Sequence, residues 1–457
     1  MMTKNKSSVK ILLSAIWLFL LCPDVSAQQI IKRDSRISES ICLISSDNMK
    51  DYINSLLIFH TRHNLSSQNR ADFGIGASAD YIEQKLIGFG RDNSNYSVER
   101  VNYKAGGKGS RLNRELTLTN IIATIKGDNP QDDRIIVLLA HYDSRVDDNT
   151  DSTTFAPGAN DNGSGVAALM EISRILAARR LPVTVKLMFL SGEEHGLLGA
   201  AHMSAMAKEN NWNIIAVLNN DMISNSHSSE TNIVNNSVVR VFSENIPFTE
   251  TSEQARERIF NSSENDSPSR QLARYIKECG ERYVENLTIK LIHRNDRFGR
   301  GGDHTPFSRN GFTAVRICEY YENYDRTHKK VELIDGIQYG DIIEGVDFEY
   351  LRKNCAANLA TVMNLVYAPA APLNVFTDVS SLYNRTTVSW NAPDNCPKPY
   401  GYYLLIRETD SPVWQKKIFV QGESIVVPYS KDNYFFAVQS VNENGNESLA
   451  QFSKGKR

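Results

Sequence analysis

The chain of 457 residues contains few cysteines, has almost no net charge and lacks long hydrophobic runs beyond its N-terminus. Its net charge of −2 and the absence of a basic, aromatic-interleaved patch argue against a nucleic-acid partner. The six cysteines show no CxxC spacing, which excludes a disulfide scaffold and a cysteine zinc site without revealing any pairing. With 41% hydrophobic and 23% charged residues, the composition is that of a globular protein with two or three domains.

The N-terminus has the pattern of a secretory signal. Lys4, Lys6 and Lys10 precede the apolar stretch ILLSAIWLFLLC, and the small-residue segment PDVSA follows it. The apolar stretch is too short for a comfortable membrane span, so we expect a cleaved signal peptide over residues 1–27 rather than an anchor. The expected location is therefore outside the cytoplasm, either periplasmic or extracellular.

Strand-like and helix-like segments alternate through most of the chain. The segments IIVLLAH, VTVKLMFL and IIAVLNN are continuous apolar runs, typical of strands covered on both faces. Segments of helical spacing, such as GVAALMEISRILA, lie between them. This alternation predicts an α/β domain over residues 28–366, with a mixed, mostly parallel sheet and helices on both of its faces.

The last part of the chain has a different pattern. The Ala/Pro-rich segment YAPAAPLNV predicts a linker over residues 367–375. Short strands separated by turn residues follow, with Trp390 inside an alternating strand, and they predict a β-sandwich over residues 376–457. This segment resembles a fibronectin type III module, and we expect an accessory role for it because no cluster of reactive side chains occurs there.

Acidic and imidazole residues recur just beyond the predicted strands, at the edge where α/β sheets bind their ligands. Two imidazoles with several carboxylates form a donor set suited to zinc, and one carboxylate can bridge two ions about 3.5–4 Å apart. The sequence therefore predicts a zinc centre with two ions. Its candidate residues are His141, Asp143, Asp161, Glu193, Glu194, Asp221 and His304.

The segment FLSGEEHGLLGA places two adjacent carboxylates, Glu193 and Glu194, at the tip of a buried strand. Such a pair repels and is costly to bury unless cations or hydrogen bonds compensate. If the two side chains leave the turn in different directions, one binds metal and the other takes a proton from the attacking water. Taken singly, His195 and the remaining histidines, including His328, are expected to be structural or pocket-lining.

Five segments in order, AHYDS, GANDNGSGVAALME, SGEEHGLLGA, NNDMI and GGDHTPF, resemble one known family. It is the zinc exopeptidase family that contains the secreted bacterial leucyl aminopeptidases and is related to the glutaminyl cyclases. The resemblance covers roughly residues 48–366 and rests on all five segments together. It implies a secreted aminopeptidase that acts on peptide substrates.

The resemblance also implies a ligand set. His141 and Asp221 would hold one zinc ion, and Glu194 and His304 would hold the other. Asp161 would bridge the two ions. None of these five positions is substituted relative to the family pattern.

The same resemblance implies roles around the metals. Glu193 would be the general base that deprotonates water, and Asp143 would orient the imidazole of His141. Tyr321 and Tyr324 are candidates for contacts with the substrate or its oxyanion, because no clear match to the family's oxyanion donor exists.

Three alternatives stay open at this point. A glutaminyl cyclase of similar fold would use one zinc ion and shuttle protons through the acidic residue. A carboxypeptidase would need a basic pocket, for which Arg294, Arg297, Arg300 and Arg316 are available. A non-catalytic binding protein is disfavoured because the ligand set and the base are complete. The side-chain preference and the oligomeric state do not follow from the sequence.

Overall fold

A computed structural model describes residues 32–394 and 398–456. The predicted signal segment 1–27 and Cys396 therefore lie outside the described residues. The four cysteines within them, Cys42, Cys279, Cys318 and Cys355, are free. Among the helices of this described part, none is long and apolar enough to cross a membrane.

Within the described residues, helices and strands are interspersed up to residue 367, and strands without helices follow. The helices α1–α9 span Ser35–Ile41, Ser46–Leu57, Gly74–Phe89, Gly163–Ala177, Leu198–Glu209, Ser252–Asn261, Pro268–Tyr283, His304–Arg309 and Phe348–Tyr367. The strands β1–β8 span Tyr96–Gly106, Glu115–Ile125, Arg134–His141, Thr184–Leu190, Asn213–Asn220, Val238–Ser243, Thr288–Ile292 and Ala314–Glu319. The short strands β9 and β10 span Glu332–Ile334 and Ile337–Tyr339.

Strands β1–β8 form one mixed sheet in the order β1-β2-β4-β3-β5-β8-β6-β7. The four central strands β4, β3, β5 and β8 are parallel, so their C-terminal ends meet at one edge. β1, β2 and β6 pair antiparallel with their neighbours β2, β4 and β8. The predicted α/β class with a mixed sheet is confirmed, although the sequence pattern missed β1 and β6.

The sheet is covered on both faces, which explains the continuous apolar runs. Along β3, Ile136, Leu138 and Ala140 belong to one buried cluster, packed against helices α2, α3, α4, α7 and α9. The alternate residues Val137 and Leu139 belong to a second cluster, packed against α5 and α8. A strand that contributes to two cores has no polar face, and burying each of its Ile, Leu and Val side chains stabilises the fold by about 1.5–3 kcal/mol.

The C-terminal segment forms two facing four-stranded sheets. The strands β11–β18 span Leu373–Asp378, Thr386–Asn391, Gly401–Glu408, Lys416–Val420, Ser424–Val427, Tyr434–Val441, Gln451–Phe452 and Lys454–Lys456. One sheet has the order β15-β12-β11-β18 and the other the order β14-β13-β16-β17. Trp390 from the first and Tyr402 from the second lie in a shared core with edge-to-face rings. The first strand begins inside the predicted linker, and the fibronectin type III resemblance stays a prediction.

Glu447 connects this sandwich to helix α7. Its buried carboxylate accepts hydrogen bonds from Arg282 of α7 at 2.6 and 3.0 Å and from Lys417 of β14 at 3.1 Å. Asn364 of α9 donates to it at 2.9 Å. The two parts of the chain therefore share a buried, hydrogen-bonded ionic contact.

Candidate metal centre

The parallel centre of the sheet positions four of the acidic and imidazole residues at one edge. His141 is the last residue of β3, Asp221 directly follows β5, and Glu193 and Glu194 lie in the turn after β4. That turn requires Gly192, whose φ is +89° and where a Cβ would come within 3.0 Å of Leu198. The sequence prediction that these side chains lie near one another agrees with their positions.

Asp161 reaches the same place from the loop before α4. The carboxylate of Asp341 accepts hydrogen bonds from the backbone N–H groups of Asn160 and Asp161, at 2.9 and 2.7 Å. The side chain of Asn162 caps α4 by accepting from the N–H of Gly165. These contacts fix the loop backbone, so the side chain of Asp161 points at the strand ends.

The candidate ligand atoms form two groups that share His141. One group comprises His141, Glu193 and Asp221, the other His141, Asp161 and Glu194, each with its ligand atoms within 4.8 Å of one another. His141 Nε2 lies 3.4 Å from Asp161 Oδ1 and 3.9 Å from Asp221 Oδ1. His141, Asp161, Glu194 and Asp221 are buried, and Glu193 is partly exposed. Two adjoining donor groups are the arrangement that a two-ion centre needs.

His328, rather than His304, supplies the second imidazole. Its Nε2 lies 3.0 Å from Asp161 Oδ2 and 2.9 Å from Glu194 Oε1, in the loop that follows β8. Its Nδ1 lies 2.8 Å from a guanidinium nitrogen of Arg145, which also donates to Glu194 at 2.9 Å. The position after a parallel strand was the available sequence signal, but we expected His328 to be an ordinary histidine.

The expectation that His304 is a ligand is corrected by its position. His304 begins α8, and its Nε2 lies 2.9 Å from the carbonyl oxygen of Asn295 and 3.9 Å from Asp296. Its Nδ1 has no hydrogen-bond partner among the described residues. The ring therefore contacts Asn295 and Asp296 and belongs to neither donor group.

Asp143 organises the turn that carries the glutamate pair. Its carboxylate accepts from the backbone N–H groups of Glu193 at 3.3 Å and Glu194 at 3.1 Å, and from the amide of Asn64 at 2.7 Å. The Nδ1 of His141 lies 3.1 Å from the Asp143 carbonyl oxygen and 3.5 Å from its carboxylate. Asp143 therefore contacts both the His141 ring and the backbone of the glutamate pair.

Burial and neighbouring charges shift the pKa values of the carboxylates in different directions. Burial raises the pKa of Glu193 well above its ordinary value; His141 opposes this, while Asp221 and Glu194 add to it. Burial acts in the same direction on Asp221, but Arg316 and His141 outweigh it and lower the pKa of that carboxyl. Burial therefore prevails at Glu193, whereas the cationic neighbours prevail at Asp221, whose charged form is favoured for binding a cation.

A further buried acid, Asp303, was missed by the sequence reasoning. Neither of its carboxylate oxygens has a hydrogen-bond partner among the described residues. Burial raises the pKa of Asp303 to about 8, with Asp143 and Asp221 adding to the shift and His141 opposing it. Its place in the GGDHTPF segment, beside the expected ligand His304, was the only sequence signal for it.

The cluster opens into a cavity of about 540 Å3. Glu193, Glu194, Asp161, Asp221 and His328 line it, but neither Tyr321 nor Tyr324 does. The ring of Tyr321 packs edge-on against Tyr320, and the side chain of Tyr324 borders a neighbouring groove. The structure therefore does not bring the two predicted tyrosine contacts to the site.

The donor set fits zinc. It combines two imidazoles with three buried carboxylates and a fourth acid alongside, which is the nitrogen and oxygen chemistry of catalytic zinc sites. Buried carboxylates at these separations repel one another unless cations lie among them. Arg145 and Arg316 each form an ion pair with only one of them, Glu194 and Asp221 respectively, so within the described residues the ion pairs of Asp161 are with imidazoles alone.

Comparisons with known proteins agree with this chemistry. The model of peptidase family M28 matches residues 120–345. A protein of Leptosphaeria maculans named "Probable zinc metalloprotease" is 38% identical over 90% of this chain and 94% of its own length. One of the same name from Pyricularia oryzae is 36% identical over 91% and 84% of the two chains.

Solved structures show the same fold at low identity. The LapA aminopeptidase of Legionella pneumophila superposes with a TM-score of 0.51 at 17% identity, covering 76% of this chain and 78% of its own. LapB from the same organism superposes with a TM-score of 0.52 at 17% identity, covering 79% and 83%. The likeness establishes a shared architecture.

Proposed function

Because the chain belongs to peptidase family M28, we propose that it is a zinc-dependent aminopeptidase that removes N-terminal residues from peptides. The observation that carries the proposal is the pair of donor groups sharing His141, one of which includes Glu193 at the cavity wall. The aminopeptidase named among the structural neighbours supports the exopeptidase type.

Five residues would hold the metal. His141 and Asp221 would bind one ion, Glu194 and His328 the other, and Asp161 would contribute an oxygen to each. When bound, zinc lowers the pKa of a water molecule and polarises the scissile carbonyl group. Asp143 holds the backbone of the glutamate pair, so the Glu194 ligand and the neighbouring Glu193 keep fixed positions.

Glu193 is the proposed general base. It lines the cavity, and unlike Glu194 its carboxylate makes no ion pair with an arginine in the described part of the chain. Glu193 would accept the proton of the attacking water and deliver it to the departing amine. Residues 1–27 are proposed to export the protein, which N-terminal sequencing of the secreted form would test.

The test combines metal content with a substrate panel. Purified protein should contain two zinc ions per chain and hydrolyse aminoacyl anilides, while N-acetylated forms of the same substrates should not react. Glu193→Gln should keep its zinc and lose hydrolysis. Cleavage of blocked substrates would reject the aminopeptidase. Cyclisation of N-terminal glutamine by a one-zinc protein would identify a glutaminyl cyclase instead.

A further inference from the structure

The cavity of the metal centre is unusually rich in arginine. Among the described residues that line it, only Leu197 and Met222 have apolar side chains. A site for an apolar substrate residue would be lined mainly by apolar and aromatic groups. Six arginines line the cavity instead: Arg111, Arg145, Arg297, Arg300, Arg309 and Arg316.

Three of these arginines are already neutralised by the protein. Arg145 pairs with Glu194 at 2.9 Å and Arg316 with Asp221 at 3.1 Å. Arg297 pairs with Glu322 at 2.5 Å. These guanidinium groups hold acidic side chains of the protein and are not free to bind a substrate anion.

The other three, Arg111, Arg300 and Arg309, form no ion pair with an acid in the described part of the chain. Arg111 donates a hydrogen bond to the carbonyl oxygen of Glu194 at 3.3 Å, and Arg309 lies over the ring of Phe248 at 5.8 Å. The side chain of Arg300 forms no hydrogen bond with another described residue. All three are exposed, so each retains a full positive charge at the cavity.

These three charges come from separate elements that converge on the site. Arg111 lies between β1 and β2, where its contact with Glu194 keeps it beside the metal centre. Arg309 ends α8, one helical turn after the cavity residue Thr305, so both lie on the same helix face. Arg300 precedes Gly301, which lies close to Thr305 and Leu197. A Cβ added to Gly301 would be 3.6 Å from the Thr305 side chain and 3.7 Å from that of Leu197.

Resting on the peptidase function proposed above, we propose that the substrate carries a carboxylate next to the scissile bond and that Arg111, Arg300 and Arg309 bind it. The carboxylate belongs to an acidic side chain or to the C-terminus of a dipeptide. Guanidinium groups match carboxylate geometry with paired N–H donors, and three like charges repel a substrate with a basic residue at that place.

Isosteric substrate pairs test the proposal on the zinc-loaded full chain. Glutamyl anilide is compared with glutaminyl anilide, Leu-Glu-amide with Leu-Gln-amide, and Leu-Leu with Leu-Leu-amide. The first two pairs report an acidic side chain on either side of the bond, and the third reports a terminal carboxylate. We expect kcat/KM to favour the acidic member of at least one pair by roughly ten- to hundredfold.

Single substitutions then locate the contact. Arg111→Gln, Arg300→Gln and Arg309→Gln should each raise KM for the preferred acidic substrate and change the neutral partner's KM little, because binding rather than chemistry is altered. Arg256→Gln, an exposed arginine on α6 away from the cavity, is the matched control. Binding of the same peptides to Glu193→Gln, measured by calorimetry, gives the preference without turnover.

The outcomes separate this inference from the proposed function. If neutral substrates are cleaved as well as acidic ones, and the arginine variants behave like Arg256→Gln, the peptidase stands and the carboxylate site is rejected. If no peptide of any charge is cleaved, the proposed function fails. In that case a calorimetric preference for acidic peptides would still support the arginine site, and its absence would reject it.

Discussion

His328 and Glu194, 134 positions apart in the chain, bring imidazole Nε2 and carboxylate Oε1 within 2.9 Å of each other. Arg145 contacts both of them, through its Nε on Glu194 and a terminal nitrogen on the His328 ring. The two side chains thus form a metal-donor pair whose positions are held by the guanidinium group of Arg145. This relationship replaces His304 by His328 as the second imidazole of the centre.

The two histidines can be distinguished by metal content. His328→Ala should lose one of two zinc ions at micromolar free zinc, because it removes an imidazole that contacts two other ligands. His304→Ala is the matched control: it removes an imidazole that is at least as buried but should retain both ions. Zinc per chain, measured after dialysis, decides between them. Loss of zinc in His304→Ala alone would restore the original assignment.

Glu193→Gln should reduce kcat by roughly 10²–10⁴-fold while leaving the zinc content and thermal stability close to wild type. The amide keeps the shape of the side chain but cannot accept the proton of water. Single-turnover kinetics, with zinc determined on the same sample, measure the effect. A variant with nearly full activity would mean that another group is the base.

Asp143→Ala should lower activity by roughly 10–100-fold through misplacement of the glutamate turn. It removes the acceptor for the N–H groups of Glu193 and Glu194 and one of the two partners of the Asn64 amide nitrogen. Asp143→Asn retains one acceptor oxygen and should recover part of the activity. Equal activity in both variants would show that the carboxylate does not position the turn.

Removal of metal should destabilise the protein as well as inactivate it. Without cations the buried carboxylates at the strand ends repel one another, so zinc binds the folded state more tightly than the unfolded chain. At free zinc of about 100 times its Kd, the expected stabilisation is about 2.7 kcal/mol. Thermal unfolding with and without chelator measures it, and Arg256→Gln should respond like wild type.

The contact between the sandwich and α7 should be sensitive to acid. Burial alone would raise the pKa of Glu447, but Lys417 and Arg282 outweigh it and lower that pKa from 4.5 to about 2. A lowered carboxyl pKa stabilises the fold above pH 4.5, and the contribution is lost as the pH falls toward 2. The shift corresponds to about 3 kcal/mol at neutral pH.

Glu447→Gln therefore should unfold more easily than wild type at pH 7, and the difference should shrink between pH 4.5 and pH 2. Denaturant unfolding followed across this range measures it. A surface control, Glu443→Gln, should show no such trend, since the side chain of Glu443 is exposed and forms no ion pair within the described residues. A difference that is independent of pH would assign the effect to packing.

The central part of the fold could be predicted from local patterns. β3, β4 and β5 are continuous apolar runs because both of their faces are buried, and α4 has clear helical spacing. By contrast, β1 and β6 were missed: half of β1 is exposed, and β6 is a short strand paired antiparallel to β8. These two segments become strands because they pair with β2 and β8, which a local sequence pattern does not show.

The sequence by itself determined that carboxylates and an imidazole meet at the centre of the site. His141, Glu193, Glu194 and Asp221 lie at or just beyond the C-terminal ends of strands that parallel pairing brings to one edge. Only the tertiary structure decided which second imidazole reaches them, since the irregular chain after β8 takes its course from contacts with distant residues such as Arg145. It also decided the charge of the cavity. Arg111 lies far from Arg300 and Arg309 in the sequence, and no local pattern shows that the three line the same cavity.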